Sequence, residues 1–494
     1  MESEDFDLIV IGGGPGGSTV GTLVAKQGHR VLLLEREHFP RYQVGESLIP
    51  ATAHGMAELL GIREELKTQG YPVKYGTCFR WGKAKEPWCF DFGTLPALGA
   101  VDAGYAYQVE RAKFDHLLLD NARKHGVDVR EGHAVDDYLV EDGRVVGVHF
   151  TDGAGVKRTA RARFVANAGG NTSALYDRIG ERVFSQFFQN VALFTYYEGG
   201  YRMPPPRQGQ FLAAAFDLGW FWYIPLSDTL TSVGAVVDKS EAGRLTDPLA
   251  AMNHFIDACP LIKDWLGGAK RITDGMYGQF RVRKDYSYTT TRFYHAGALL
   301  LGDAACFVDP VFSTGVHLAT YSGLLSARSI NTMLSDRGLP EETVFAEFEL
   351  RYRLEYERIY SFLVAFYDMD QDQESYYWAA RRVNTTEERH NDAFVSLVSG
   401  MSSHEFFDDC TTGNSKVLAE YIEADRRKSM FEAGVRLKYG ERVPSSLSAQ
   451  SAGQPVRERG LIPDGLCWKV PGAVAIPETS VDGLRWAWPP RRQP

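Results

Sequence analysis

A glycine cluster near the amino terminus has the spacing of a phosphate-binding turn. Residues 12–17 are GGGPGG, so Gly12, Gly14 and Gly17 match G-x-G-x-x-G. The first glycine of this pattern allows a tight turn, the second lets backbone approach a pyrophosphate, and the third lets helix and strand pack closely. Glu35 follows Gly17 by 18 residues, where an acidic side chain can bind a ribose diol. The spacing predicts a dinucleotide site, with a glycine-rich structural turn as the alternative.

A lysine among apolar residues is a second candidate for chemistry. Lys74 lies near Tyr75, Phe79 and Trp81. Most lysines are solvated surface groups. Burial, however, lowers the pKa of a lysine, and the side chain can then act as a nucleophile or a hydrogen-bond donor. The apolar neighbours favour burial of Lys74, with a solvated surface lysine as the alternative.

Residues 219–225 (GWFWYIP) combine aromatic side chains with the alternation of a β-strand. Alternation places Trp220, Trp222 and Ile224 on one face and the other two aromatic residues on the opposite face. An aromatic core strand ended by proline would explain this composition without any function. The wall of a binding site is the second interpretation.

A further polar segment follows a predicted buried strand at 298–301. Asp303 comes shortly after this strand and by itself could be a helix N-cap. Residues 309–316 (DPVFSTGV) then lead into a predicted helix, whose amino-terminal dipole stabilises negative charge. The alternative is a glycine-assisted turn.

The elements that must position these residues have an α/β pattern. A buried strand at 6–11, a helix at 18–27 and a strand at 30–34 predict a βαβ unit. Aromatic, alternating segments around 76–92 and 190–237 predict an antiparallel sheet. Further predicted elements are a helix at 114–125, strands within 127–150 with a turn at Asp142 and Gly143, and long helices at 315–334 and 341–368.

These elements predict an α/β fold with a Rossmann-like nucleotide module interleaved with an antiparallel substrate sheet. We expect a core at 1–370 and, at 371–494, a mainly helical carboxyl-terminal region whose tail is irregular from about 441. Within the core, the nucleotide module covers about 1–75, 106–180 and 275–335, and the substrate sheet covers about 76–105 and 181–274.

Composition excludes several classes of protein. The net charge of −9 does not suit a nucleic-acid binder. The six cysteines have no CxxC spacing, so we expect no metal site and no dense disulfide framework. An acidic amino terminus argues against a signal peptide, and glycines interrupt the uncharged stretch at 8–25 that could otherwise span a membrane. We therefore expect a cytoplasmic protein without a membrane partner.

Together, these segments resemble flavin-dependent halogenases. Residues 220–225 match the W-x-W-x-I-P signature of that family, and the Gly-Asp step at Asp303 matches a flavin ribityl contact of the related aromatic-hydroxylase superfamily. The resemblance implies FAD, used as FADH2, and chloride as a co-substrate. The residues that it implies for FAD binding are Gly12, Gly14, Gly17, Glu35, Arg41, Glu46, Ser47, Arg111, Asp303, Pro310 and Gly315.

The same resemblance implies roles for the remaining candidates. Lys74 matches the essential catalytic lysine of the family. Trp220 and Trp222 match tryptophans that separate the flavin from the organic substrate, and Thr314 and Gly315 match the halide-binding step.

Other segments are similar to phenol halogenases of glycopeptide-antibiotic and enediyne biosynthesis. Phe312 stands where tryptophan halogenases carry a glutamate, which argues against free tryptophan as substrate. The similarity implies a tyrosine or β-tyrosine type of substrate on a peptidyl carrier protein. The matching segments are 39–50, 108–115, 221–236, 281–288 and 302–325.

The implied reaction uses a separate flavin reductase, because the sequence has no second convincing nucleotide site. A flavin hydroperoxide oxidises chloride to hypochlorous acid, and Lys74 either forms a chloramine with this acid or polarises it through a hydrogen bond. A flavin-dependent aromatic hydroxylase is the nearest alternative, and a non-catalytic FAD-binding docking protein is a second one.

Overall fold

Strands and helices make up most of the chain that the computed structural model describes, namely residues 4–284, 287–335, 338–384, 389–402, 478–480 and 482–487. The strands, in chain order, are β1 (Glu4–Ile11), β2 (Val31–Glu35), β3 (Val73–Lys74), β4 (Gly76–Arg80), β5 (Trp88–Asp91), β6 (Ala106–Tyr107), β7 (Asp128–Glu131), β8 (Ala134–Glu141), β9 (Arg144–Thr151), β10 (Lys157–Asn167), β11 (Arg182–Phe184), β12 (Asn190–Glu198), β13 (Phe211–Phe216), β14 (Gly219–Pro225), β15 (Leu230–Asp238), β16 (Lys270–Arg271), β17 (Arg281–Lys284), β18 (Tyr288–Thr290), β19 (Tyr294–His295), β20 (Ala298–Leu300), β21 (Cys306–Phe307), β22 (Glu478–Thr479) and β23 (Trp486–Ala487).

The α-helices are α1 (Pro15–Ala25), α2 (Ala57–Leu60), α3 (Arg63–Lys67), α4 (Pro96–Ala100), α5 (Arg111–Lys124), α6 (Pro248–Ala258), α7 (Pro260–Trp265), α8 (Gly315–Ser335), α9 (Glu341–Phe366), α10 (Gln373–Val383) and α11 (His390–Val398).

A mainly parallel sheet forms the nucleotide module. Its strand order is β19-β20-β10-β1-β2-β7, and β8 and β9 add an antiparallel edge through β10. Residues 8–11 and 31–34 are buried because helices cover both faces of parallel sheets. The predicted βαβ unit is thereby confirmed. The predicted turn is also confirmed, because Asp142 and Gly143 have φ angles of +48° and +76° between β8 and β9.

A second large sheet lies beside the nucleotide module, with the strand order β16-β12-β15-β14-β13-β4-β5. It is antiparallel except where β13 pairs with β4 in parallel. Its two faces differ: Phe194, Trp220 and Trp222 belong to the main core, whereas Phe221 and Tyr223 pack into a separate core against α6 and α7. β17 also joins this sheet by pairing with β12, although the sequence assigns 275–335 to the nucleotide module.

Helices α8 to α11 complete the described body. α8 packs on α1 and α9, so the helix that follows the 309–316 segment is held against the nucleotide module. α10 and α11 confirm helical structure after residue 370, while residues 403–477 lie outside the described chain. From the predicted irregular tail, β22 and β23 form a short hairpin on α8, where the Trp486 indole N–H donates to the Ser329 hydroxyl at 3.0 Å.

A disulfide bond is a feature that the sequence did not indicate. Cys78 and Cys89 stand opposite each other on β4 and β5 and are bonded. Their spacing of 11 residues gave no sign of this, because strand pairing rather than sequence proximity brings them together. Such bonds persist most readily in oxidising compartments, which the predicted cytoplasmic location does not offer. Cys259 and Cys306 are free and buried, and Cys410 and Cys467 lie outside the described residues.

Candidate active site

One cavity of about 720 Å³ lies where the nucleotide module meets the second sheet. This volume is in the range of small-molecule sites. The predicted residues that line it are Gly12, Gly14, Glu35, Arg41, Glu46, Ser47, Arg111, Trp220, Trp222, Asp303, Pro310 and Gly315. The fold therefore brings together sequence segments as distant as Gly12 and Gly315.

The glycine turn has the shape that a pyrophosphate requires. Gly12 has a φ of +93°, and a Cβ atom there would lie 2.7 Å from the Ala168 carbonyl oxygen. A Cβ atom on Gly17 would lie 1.9 Å from the Gly12 carbonyl oxygen, which confirms that close packing requires this glycine. Gly14, in contrast, faces the cavity, and its nearest neighbour would be an Arg41 nitrogen at 3.5 Å. Phosphate can thus reach the amino terminus of α1 without obstruction.

Glu35 ends β2 beside this turn and is buried. One of its carboxylate oxygens accepts a hydrogen bond from the Gly13 N–H at 2.7 Å, and the other accepts one from the Glu37 N–H at 2.9 Å. Each oxygen keeps a lone pair for a further donor. The carboxylate is therefore oriented by backbone and can accept a ribose hydroxyl.

Two arginines give the cavity positive charge. The buried Asp115 carboxylate accepts hydrogen bonds from Arg111 at 2.7 and 2.9 Å and from Arg41 at 3.1 Å. Arg111 also donates to the Val44 carbonyl oxygen at 2.6 Å. These contacts fix both guanidinium groups at the wall of the cavity, where they suit an anionic ligand.

Asp303 lies in the same cavity, after a tight turn at Gly302 with a φ of +56°. Burial raises the pKa of Asp303 to about 6, against the opposing effect of the Arg111, Arg283 and Arg182 charges. A carboxylate in this position can accept hydrogen bonds from the hydroxyl groups of a bound ligand.

The turn at residues 309–315, which we name the halide turn for its predicted role, leads into the amino terminus of α8. Asp309 caps a short 3₁₀ segment by accepting from the Val311 N–H at 3.0 Å, and Ser313 adopts a left-handed φ of +62°. Gly315 then begins α8, whose first N–H groups have no intrahelical acceptor. The Thr314 hydroxyl is fully buried and has no hydrogen-bond partner among the described residues. Ser313 and Gly315 line the cavity and Thr314 does not, so the N–H groups at the start of α8 are the donors within reach of an anion in the cavity.

Lys74 is buried next to the cavity instead of lining it, with 1% of its surface exposed. Its ammonium donates to the Ser47 hydroxyl at 2.9 Å and to the Leu48 carbonyl oxygen at 3.0 Å. Burial lowers its pKa from 10.5 to about 7. The rings that face the ammonium belong to Phe92 and Phe211, at 5.4 and 5.7 Å, and are distant in sequence. Ser47 and Phe211 line the cavity, so they separate Lys74 from it.

The two tryptophans of β14 confirm the predicted alternation. Trp220, Trp222 and Ile224 line the cavity. The Trp222 ring packs directly on Gly234 of β15, where a Cβ atom would lie only 2.2 Å from the ring. The Trp220 N–H donates to the Tyr367 hydroxyl at 2.7 Å, and the Trp222 N–H donates to the Ser232 hydroxyl at 3.1 Å.

Sequence reasoning missed the tyrosine and serine hydroxyls that contact the carboxylates of the site. Tyr367 donates to the Asp309 carboxylate at 2.6 Å. Glu46 is 2% exposed and accepts from Tyr196 at 2.5 Å and from Ser232 at 3.4 Å. Burial raises the pKa of Glu46 above its ordinary value. Tyrosine and serine are too common for their positions alone to have indicated these contacts.

The residues that the structure describes lack two features. No group of three or more His, Cys, Asp or Glu side chains is placed to hold a metal ion there. Within the same residues, no helix has the length and apolar character needed to cross a bilayer.

Several known proteins are similar to this chain in sequence or fold. The family described as Tryptophan halogenase matches residues 7–102 and 94–411. A tryptophan 2-halogenase of Chondromyces crocatus is 32% identical over 409 residues, which cover 80% of this chain and 75% of the relative. A 1H-pyrrole-2-carbonyl-[peptidyl-carrier protein] chlorinase of Pseudomonas fluorescens is 29% identical over 394 residues, covering 75% of this chain and 85% of the relative.

Among solved structures, the myxobacterial chondrochloren halogenase, described as a variant of FAD-dependent halogenases, is similar over nearly the whole chain. It is 49% identical, covers 98% of this chain and 100% of its own, and superposes with a TM-score of 0.75. The fold, the cavity and these matches agree, and the chain belongs to the tryptophan-halogenase family of flavin-dependent halogenases.

Proposed function

We propose that this enzyme chlorinates a phenolic substrate of the tyrosine or β-tyrosine type that is attached to a peptidyl carrier protein. The observation that carries the choice of ring is Phe312. It is 4% exposed and stacks on Phe362 with a centroid distance of 5.0 Å. A carboxylate is therefore missing where tryptophan halogenases have a glutamate. A phenol suits such a site, because its own oxygen supplies electrons to the ortho carbon.

Carrier attachment is the second part of the proposal. A relative that covers three quarters of this chain is, by its name, a chlorinase of a carrier-bound pyrrole. Phenol and pyrrole are both electron-rich rings, so the same transfer of chlorine can serve both. The partners that we propose are a peptidyl carrier protein and, as for the family in general, a flavin reductase that supplies FADH2.

The residues that line the cavity would hold the cofactor. The glycine turn and α1 would bind the pyrophosphate, Glu35 the ribose, and Asp303 the ribityl hydroxyls, with Arg41 and Arg111 nearby. Reduced FAD, when bound with oxygen and chloride, supplies an electrophilic chlorine as hypochlorous acid. Thr314 and Gly315 would hold the chloride through backbone N–H groups, and the rings of Trp220 and Trp222 would keep the organic substrate away from the flavin.

Lys74 would transfer the chlorine, and its lowered pKa permits two routes. With a pKa of about 7, a large fraction of the side chain is a neutral amine at neutral pH. The amine nitrogen can attack hypochlorous acid, forming an N–Cl bond and releasing water. The ring carbon then takes the chlorine, the ring loses a proton and the amine is regenerated. Alternatively, the ammonium donates a hydrogen bond to the acid and makes its chlorine more electrophilic.

A reconstituted reaction tests the proposal. Enzyme, FAD, a flavin reductase with NADH, oxygen and chloride would be combined with carrier-bound tyrosine or β-tyrosine, with the free amino acids, and with tryptophan. We expect the isotope doublet of one chlorine only on the carrier-bound phenol. Chlorination of a free amino acid would contradict the dependence on a carrier protein. Chlorination of tryptophan would contradict the proposal that the substrate is a phenol. A product with oxygen and without chlorine would instead indicate a hydroxylase.

A further inference from the structure

We infer that Trp220 and Trp222 also connect the halide turn to the segment that holds Lys74, and that Tyr367 and Ser232 are positioning residues in this connection. The inference rests on the proposed roles of Lys74 and of the halide turn. It concerns the indole N–H groups, because screening of the flavin requires only the rings. A phenylalanine could screen as well, but it could not donate the two hydrogen bonds observed here.

The first connection leads from Trp220 to the halide turn. The indole N–H donates to the Tyr367 hydroxyl at 2.7 Å, and this hydroxyl donates to one Asp309 carboxylate oxygen at 2.6 Å. The other oxygen accepts from the Val311 N–H at 3.0 Å, which is the cap of the turn. Asp309 is fully buried, so the loss of one of these partners would be costly. Tyr367 thus holds the carboxylate that shapes the halide turn.

The second connection leads from Trp222 to the lysine. Its indole N–H donates to the Ser232 hydroxyl at 3.1 Å, and Ser232 donates to Glu46 at 3.4 Å. The next two residues of the chain, Ser47 and Leu48, accept the hydrogen bonds of the Lys74 ammonium at 2.9 and 3.0 Å. Glu46 itself is buried, and Tyr196 donates to its other oxygen at 2.5 Å.

The two connections have the same pattern. Each indole donates to a hydroxyl, and each hydroxyl donates to a buried carboxylate next to one chemical group of the site. The rings lie on one face of β14 with their centroids 6.3 Å apart. A single strand therefore links the place where halide would be oxidised to the place where chlorine would be transferred. A small oxidant that moves between these places requires a constant geometry, which rigid supporting contacts provide.

Two variants separate the connections. Tyr367→Phe keeps the ring and removes the donor to Asp309, and Ser232→Ala removes the donor to Glu46. A hydrogen bond to a charged group corresponds to about a tenfold change in an equilibrium constant. We expect Tyr367→Phe to raise the KM for chloride by about tenfold. Ser232→Ala should leave that KM unchanged and lower the yield of chlorinated product per flavin oxidised by about tenfold, with peroxide released instead.

Control variants remove comparable hydroxyls. Tyr360→Phe is the control for Tyr367→Phe, because Tyr360 lies in α9, the helix that ends just before Tyr367. It removes a hydroxyl that contacts Ser185 at 2.7 Å. Thr231→Val affects the neighbour of Ser232 on β15, whose hydroxyl accepts from Arg202 at 2.8 Å. We expect both controls to keep the wild-type KM for chloride and the wild-type product yield. Flavin content and thermal midpoint would be measured for every variant.

A double variant makes the test independent of folding losses. If Trp220 acts on the halide turn through Tyr367, then Trp220→Phe should reproduce the change in KM, and Trp220→Phe combined with Tyr367→Phe should be no worse than either. Additive effects, equal effects in the controls, or changes below about twofold would overturn the inference. Normal chlorination by Lys74→Ala would instead refute the proposed role of Lys74, so the two failures are distinguishable.

Discussion

Replacing Lys74 by methionine should abolish chlorination and yet stabilise the folded protein at neutral pH. Lys74 is 1% exposed, and burial lowers its pKa from 10.5 to about 7. This difference corresponds to a cost of about 5 kcal/mol for burying the ammonium. Met is apolar and of similar length, so it avoids this cost. The Leu48 carbonyl oxygen would lose its donor, which costs about 1–3 kcal/mol. The free energy of unfolding of Lys74→Met should therefore exceed that of the wild type by about 2–4 kcal/mol.

The gain should depend on pH in a defined direction. Below pH about 7, Lys74 is protonated in both the folded and the unfolded chain. The folded wild type is then destabilised by the full free energy of burying the ammonium. Between about 7 and 10.5 the unfolded chain binds a proton that the folded chain has lost, so the stability of the wild type rises with pH. The advantage of Lys74→Met should therefore shrink by about 1.4 kcal/mol per pH unit above pH 7.

Denaturant unfolding of both proteins between about pH 6 and pH 9 measures this difference. Lys124→Met serves as the control, because the Lys124 side chain is 58% exposed and its removal relieves no buried charge. Activity and flavin content of the same preparations are measured in parallel, and flavin content should stay at the wild-type level. The reasoning is refuted if Lys74→Met is less stable than the wild type at pH 6, or if its advantage is the same at pH 9.

Three further predictions concern other parts of the molecule. Gly14→Val should fold with an unchanged thermal midpoint but purify without flavin, because its side chain would occupy the phosphate position in the cavity; a yellow protein would contradict the site. Burial raises the pKa of Asp303 to about 6, so FAD affinity should fall as pH decreases through that value, since a protonated carboxyl accepts fewer hydrogen bonds. Fluorescence titration should detect this fall in the wild type, and its persistence in Asp303→Asn would assign it to another group. Trp486→Ala should lower the free energy of unfolding by about 3–5 kcal/mol, because the buried indole also contacts Arg351 at 4.4 Å; unchanged denaturant unfolding would show that the hairpin contributes little.

Much of the nucleotide module could be predicted from local sequence. The strand, glycine turn and helix at 4–25 are neighbours in the chain, and each glycine has a steric reason that a motif expresses. The alternation of 219–225 likewise placed Trp220 and Trp222 on one face, because a strand has a period of two. Such features depend on residues a few positions apart, so the sequence expresses them directly.

The surroundings of Lys74 could not be predicted in this way. The sequence suggested Tyr75, Phe79 and Trp81 as its apolar neighbours. Tyr75 is 39% exposed, and the rings that face the ammonium are those of Phe92 and Phe211. The acceptors of the hydrogen bonds from the Lys74 ammonium belong to residues 47 and 48. The burial that lowers the pKa of Lys74 thus depends on distant segments that only folding brings together.

By itself, then, the sequence determined the chemical groups and their local geometry: a glycine turn for pyrophosphate, an acidic residue after the second strand, an indole face and a lysine with apolar neighbours. The tertiary structure alone decided how these groups are supported, through the Asp115 carboxylate between Arg41 and Arg111, the Cys78–Cys89 bond, and the hydroxyls of Tyr367 and Ser232. The physical reason is the separation along the chain of the residues that interact. Backbone conformation and strand alternation follow from neighbouring residues, whereas burial and hydrogen-bond partners depend on which distant segments pack together.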